Sequence, residues 1–205
     1  INGVSTQTSV TVTGDLGAGT DSLVINSSGS TVAAGQTVTI SGLTSYNAAS
    51  ITTGIGTDTI TGGSGVDTIV AGLGQDTITG GAGADTITGG ALNDSLGGGD
   101  GNDTIDGKEG TNDLSGGAGN DKITSGAGDD AISDGSGNDT VSAGAGNDTI
   151  TSGAGDDNIS GGAGADRVQF DGVDFDGNDT VAGGADTDTI VLTANATYTD
   201  TDFLN

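Results

Sequence analysis

No histidine occurs among these 205 residues, and no cysteine, proline, methionine or tryptophan. Without histidine, the usual zinc sets, the Ser-His-Asp triad and the imidazole general base all fall away. Without cysteine there is no disulfide framework, and redox chemistry says nothing of the compartment. Basic residues are nearly missing: 3 Lys plus Arg stand against 29 Asp plus Glu, a formal net charge of -26. Nucleic acid phosphates and anionic lipid would be repelled, so neither nucleic acid nor membrane insertion is expected. No apolar run approaches the roughly 18 residues that a membrane helix needs. Aromatics make up 2% and hydrophobic residues 31%, a profile that ordinarily means disorder. Serine and aspartate are plentiful, yet no nucleophile has a recognisable base, and a phosphate-loop reading fails because Lys108 is followed by Glu109. The expectation is a chain that is not an enzyme and whose natural partner is a cation.

What is abundant is glycine, 43 residues, and it keeps a register. From Thr53 to Gln169 the chain divides without slip into 13 nonapeptides, 117 residues in all. Aspartate holds the sixth place in 12 of the 13: Asp58, Asp67, Asp76, Asp85, Asp94, Asp103, Asp121, Asp130, Asp139, Asp148, Asp157 and Asp166, with Asn112 the exception. The eighth place is always aliphatic, from Ile60 to Val168, and glycine holds the second and fourth places in all units but one each. The last three residues of a unit, as in "TIT", alternate polar, aliphatic, polar, which is a short strand with one side chain turned inward. Six residues of turn and three of strand, repeated, predict an all-β solenoid of parallel strands. Each unit buries almost nothing alone, so its neighbours must stack on it. A slip of one residue would expose every aliphatic, which specifies the register strongly.

In "GGSGVDTIV", "GGAGADTIT" and "GGAGNDKIT" the chain resembles the RTX, or hemolysin-type, nonapeptide repeat. That resemblance implies a parallel β-roll, or β-helix solenoid, with two units per coil and calcium held between turns stacked on the same edge. The implied ligands are sixth-place carboxylates and backbone carbonyls of the glycine-rich turns, oxygen donors suited to a hard cation. Units beginning at 53, 71, 89, 107, 125, 143 and 161 would line one edge, and those beginning at 62, 80, 98, 116, 134 and 152 the other. One site between each same-edge pair gives about eleven calcium ions, whose charge nearly offsets that of the acids. Calcium is then what orders so flexible a chain, and without it the sequence is expected to be a coil.

Two units depart from the pattern. "GGALNDSLG" carries Leu92 at the fourth place, and "GKEGTNDLS" carries Lys108 at the second and Asn112 at the sixth. They are neighbours on one edge, so the site between them is expected to be the weakest. Three regions follow: a lead-in over 1–52, the regular array over 53–169 and a broken-frame end over 170–205. The lead-in holds one isolated repeat-like unit, "LGAGTDSLV", with Asp21 as a further candidate ligand. After Gln169 the frame slips by "FDGV" and resumes, placing Asp179 and Asp188 at the sixth position. Asp171, Asp174, Asp176 and Asp179 form an acidic knot that reads equally as an ion site or a solvated loop. All five aromatics, Tyr46, Phe170, Phe175, Tyr198 and Phe203, lie outside the array, where solenoids need their ends covered.

The recurring "NDT" triplet mimics a glycosylation acceptor but is generated by the repeat itself. An ice-binding threonine row is set aside because no unit has threonine at its third place. Ile1 at the start and "TDTDFLN" at the end read as a piece of a longer chain. The expected role is a calcium-binding structural module outside the cell, in a bacterial surface layer or similar assembly that associates with copies of itself. The alternatives are the C-terminal RTX domain of a secreted protease, lipase or toxin, and a stalk segment of a large adhesin.

Overall fold

A computed structural model describes residues 9–13, 23–26, 37–41, 48–170, 175 and 178–192. Among them are nineteen strands, from β1 (Ser9–Thr13) to β19 (Thr189–Leu192). Successive strands alternate between two parallel sheets, the odd-numbered forming one of ten strands and the even-numbered one of nine. In the regular array each residue therefore pairs one coil, 18 residues, further on. Ile69 of β6 (Thr68–Leu73) meets Ile87 of β8 (Thr86–Ala91), and Ile87 meets Ile105 of β10 (Thr104–Lys108). Two nonapeptides make one coil, and the protein is a parallel β-roll.

The eighth-place aliphatics stack into the core, with Ile69, Ile87, Ile150 and Ile159 completely covered. The strands are longer than three residues. β7 (Thr77–Ala82) is typical: it runs from the seventh place of one unit to the third place of the next. Glycine there lowers strand propensity, but an identical backbone lies one coil away on each side and completes the ladder. Gly81 shows why glycine is required: its φ is 121°, and a Cβ on it would collide with the carbonyl of Gly63 in the coil beneath. The longer strand turns a second side chain inward, that of the first place, so Ser125, Asp134 and Ser152 are buried polar residues.

The ends deviate from the 18-residue coil. β2 (Leu23–Asn26) pairs with β4 (Ala49–Thr52), Ile25 opposite Ile51, so Ile25 rather than Leu23 continues the aliphatic column. Asp21 itself lies outside the described residues. At the other end β16 (Asn158–Ala163) pairs with β18 (Thr180–Ala185), Asn158 opposite Thr180, a coil lengthened by the four-residue slip. The added length brings in two rings: Phe170 and Phe175 are both buried, with centroids 4.6 Å apart and planes tilted by 53°. Phe170 stands opposite Ser152, where it closes the column of small first-place residues. Tyr46, Tyr198, Phe203 and the acidic-knot residues Asp171, Asp174 and Asp176 lie outside the described residues. No helix among the described residues is long and apolar enough to cross a membrane.

Candidate metal centre

Alternate coil edges gather the sixth-place residues into two columns. One holds Asp58, Asp76, Asp94, Asn112, Asp130, Asp148, Asp166 and Asp188. The other holds Asp67, Asp85, Asp103, Asp121, Asp139, Asp157 and Asp179. Each residue is tied to the next along its column by one contact: its backbone N–H donates to the Oδ1 one coil on. Asp58 donates to Asp76 at 2.7 Å, Asp67 to Asp85 at 2.7 Å, Asp103 to Asp121 at 2.8 Å and Asp130 to Asp148 at 2.8 Å. The lengthened coil keeps the rule, with Asp157 donating to Asp179 at 2.8 Å and Asp166 to Asp188 at 3.0 Å. All are buried except Asp188, which is partly exposed.

Half of each carboxylate is thus used. The Oδ2 atoms of Asp67, Asp76, Asp85, Asp94, Asp103, Asp121, Asp130, Asp139, Asp148 and Asp166 are buried with no hydrogen-bond partner. An unsatisfied anionic oxygen in the interior is costly, and a run of them along a column compounds the cost. Burial, reinforced by neighbouring acids, pushes Asp85 and Asp139 up to about 7. The same cause raises Asp76, Asp94, Asp121 and Asp148 to about 6. In each, the backbone N–H opposes the rise.

The space beside these oxygens is shaped by the first-place glycines. A Cβ on Gly62 would fall against Asp67 Oδ2 and lie 2.5 Å from the carbonyl oxygen of Gly80. At Gly98 it would fall against Asp103 Oδ2 and 2.6 Å from the carbonyl of Gly116, and at Gly161 against Asp166 Oδ2 and 2.6 Å from that of Gly183. Calcium–oxygen distances are about 2.3–2.6 Å. A point with a carboxylate oxygen on one side and a carbonyl on the other is therefore a fitting seat for calcium. The hard oxygen donors and the absence of nitrogen or sulfur ligands favour such an ion over zinc or copper.

The departures from the repeat are visible here. Asn112 accepts the Asp94 N–H on Oδ1 at 2.9 Å, which turns Nδ2 toward the cradle, 2.9 Å from where a Cβ on Gly107 would sit. A donor stands where other coils present an acceptor. At Gly89, one coil back, the facing carbonyl of Gly107 recedes to 3.2 Å. Leu92 and Lys108 keep the glycine-like backbone, with φ of 75° and 76°, and Lys108 Nζ lies 2.6 Å from Asp106 Oδ2.

A second ladder, not anticipated from the sequence, runs outside the first. Fifth-place side chains receive N–H groups from the coil that follows: Asn120 donates to Asn102 Oδ1 at 2.8 Å, Asn138 to Asn120 at 2.8 Å and Asn147 to Asp129 at 2.7 Å. Its direction opposes that of the sixth-place ladder, so each edge is stitched both ways. The enrichment of Asn and Asp at the fifth place from Asn93 onward was the available signal.

Stacked parallel coils whose buried acids meet carbonyls along both edges define a cation-binding β-roll. The family model described as RTX calcium-binding nonapeptide repeat (4 copies) matches residues 50–78, 61–96, 79–114, 97–132, 106–141, 133–168 and 175–194. The chain belongs to this family, and it is a calcium-binding structural domain. No curated protein matches the chain.

Proposed function

We propose that this chain is the calcium-folded module of a bacterial surface-layer or related cell-surface protein, ordered by calcium after export. The observation that carries the calcium dependence is the pair of buried columns in which Asp67, Asp76, Asp85, Asp94, Asp103, Asp121, Asp130, Asp139, Asp148 and Asp166 each keep an Oδ2 without a hydrogen-bond partner. Bound cations would complete those oxygens and remove the repulsion within each column, so ion binding and folding are one event. The ligands in this reading are Asp58, Asp67, Asp76, Asp85, Asp94, Asp103, Asp121, Asp130, Asp139, Asp148, Asp157, Asp166, Asp179 and Asp188, with first-place carbonyls, and Asp21 in the lead-in. About eleven ions serve the regular array, with the weakest seats at Gly89 and Gly107.

An affinity of roughly 0.1–1 mM suits extracellular calcium and leaves the chain unfolded in the cytosol, ready for a one-step secretion route of the type I kind. The Thr/Ser-rich lead-in and the lack of catalytic constellations support a structural role, with lateral contacts between copies as the means of assembly. The test is a calcium titration followed by far-UV circular dichroism and sedimentation together, with magnesium as control. The expected result is a cooperative, calcium-specific coil-to-β transition accompanied by a rise in particle mass. β-structure already present in excess chelator at pH 8 would overturn the calcium-driven fold, and a folded monomer at all concentrations would overturn the lattice reading.

A further inference from the structure

First-place residues face the roll interior, and in the regular array all but one are Gly, Ala, Ser or Thr. The exception is Asp134, whose side chain is completely buried. Its Oδ1 accepts the N–H groups of Gly135 and Gly153, both at 2.8 Å, which fixes the carboxylate against two successive coils. Its Oδ2 has no partner, and neither does Oδ2 of Asp139, which is also buried. Asp157, one coil beyond Asp139, completes the group: a carboxylate oxygen from each of the three lies within 4.8 Å of the others. Ser152, the first-place residue of the next coil, donates to Asp157 Oδ2 at 2.7 Å. At Gly62, Gly80, Gly98 and Gly161 a first-place carbonyl faces a single carboxylate, whereas here three carboxylates converge.

We propose that Asp134, Asp139 and Asp157 form a carboxylate-only site inside the roll that takes the first and tightest-held cation of the array. The proposal deepens the calcium reading and rests on it. Three buried charges with two unsatisfied oxygens demand a counter-ion more strongly than any single acid–carbonyl cradle. The ion is hard and of calcium size: magnesium sheds its water reluctantly and needs near-ideal octahedral geometry, which an enclosed site set by two stacked coils does not provide. Three formal charges also match a trivalent lanthanide, which makes terbium a direct probe. Ligand charge count is a main determinant of calcium affinity in oxygen sites, so this seat should fill before its neighbours.

The experiment is equilibrium dialysis of the full chain against graded calcium, counting bound ions by mass spectrometry. It is run on the wild type, on Asp134→Gly, which restores the commonest first-place residue, and on Asp134→Asn, which keeps the volume. Wild type should show one ion at least about tenfold tighter than the rest, and one terbium ion taken up ahead of the others. Both variants should lose the tight class, binding that ion no more strongly than the ordinary acid–carbonyl seats, while the others bind as before and the calcium-induced β signal is kept. A wild-type isotherm with no tight first ion overturns the proposal without reference to any variant. Variants that retain the tight ion overturn it too, leaving the trio as a proton-sharing cluster. A wild type that binds no calcium at all defeats the calcium reading as a whole, an outcome distinct from the other two.

Discussion

Asn112 receives the Asp94 N–H on Oδ1 at 2.9 Å, just as Asp94 receives that of Asp76 at 2.8 Å, so the column passes through Asn112 unbroken while its charge does not. Shape and charge are therefore separable at this position. Asn112→Asp should keep the ladder and replace the inward amide with an oxygen. We expect the weak seats at Gly89 and Gly107 to fill at lower calcium, and a lower calcium midpoint for folding. Asp85→Asn should do the reverse, removing one ion and raising the midpoint. Ion counting and circular dichroism on the two variants check this; equal counts in both would show that the inward oxygen is not a ligand.

Gly81 and Gly97 give opposite expectations for the same substitution. At Gly81 an alanine meets the Gly63 carbonyl at a φ of 121°, so Gly81→Ala should cost about 1–3 kcal/mol or more in calcium-saturated stability. At Gly97 the nearest atom to an added Cβ is Ile78 O at 3.8 Å and φ is not positive, so Gly97→Ala should be neutral or stabilising by about 0.4–1 kcal/mol. Denaturant unfolding in saturating calcium reads both.

The aliphatic column has no slack. Ile87 is completely covered and sits between Ile69 and Ile105 on neighbouring coils. Ile87→Ala should destabilise by about 2–5 kcal/mol, while exposed Thr86→Ala should change little. A thermal melt in calcium measures the difference.

Acid should act on the metal-free chain in the opposite direction from its effect on calcium binding. The buried acids move from an ordinary 3.8 to about 6 at Asp76 and about 7 at Asp85 and Asp139. Between about pH 4 and 7 the folded state therefore binds more protons than the unfolded one, so metal-free stability falls as pH rises through that window and is flat above it. In chelator, lowering the pH from 8 to 4.5 should increase β signal. In calcium, lowering it from 8 to 6 should raise the midpoint, because the ion must displace protons. Circular dichroism at these pH values tests both signs, and a chelated chain equally unstructured at pH 4.5 and pH 8 would contradict the first.

The period of nine, the inward eighth place and the alternation of edges were legible because each depends on side-chain identity repeated at fixed spacing. Strand length was not. "GGA" lacks strand propensity, and its extension through Gly80, Gly81 and Ala82 comes from stacking on an identical backbone, which no single unit displays. Ile25 continuing the aliphatic column, where the frame of "LGAGTDSLV" points to its eighth residue Leu23, has the same origin, since its register is set by pairing with Ile51 across a longer coil. The fifth-place ladder was missed because Asn120 and Asn138 read locally as solvent-facing turn residues; their role exists only between coils. Asp134 gave no signal of its own, because a first-place acid reads as a solvated turn residue until the extended strand turns it inward.

Within the regular array each strand pairs only with the strand one coil before and one coil after it. A pull along the stack axis thus loads the coils in series, like links of a chain, and the weakest link sets the strength. Leu92, Lys108 and Asn112 fall on adjoining coils near the middle of the array, beside the calcium seats expected to be weakest, so a break is expected to begin there. Release of one coil frees 18 residues, roughly 60 Å of extended chain. Under the proposed calcium reading, the irregular units are where a stretched roll should yield first, lengthening before either end gives way.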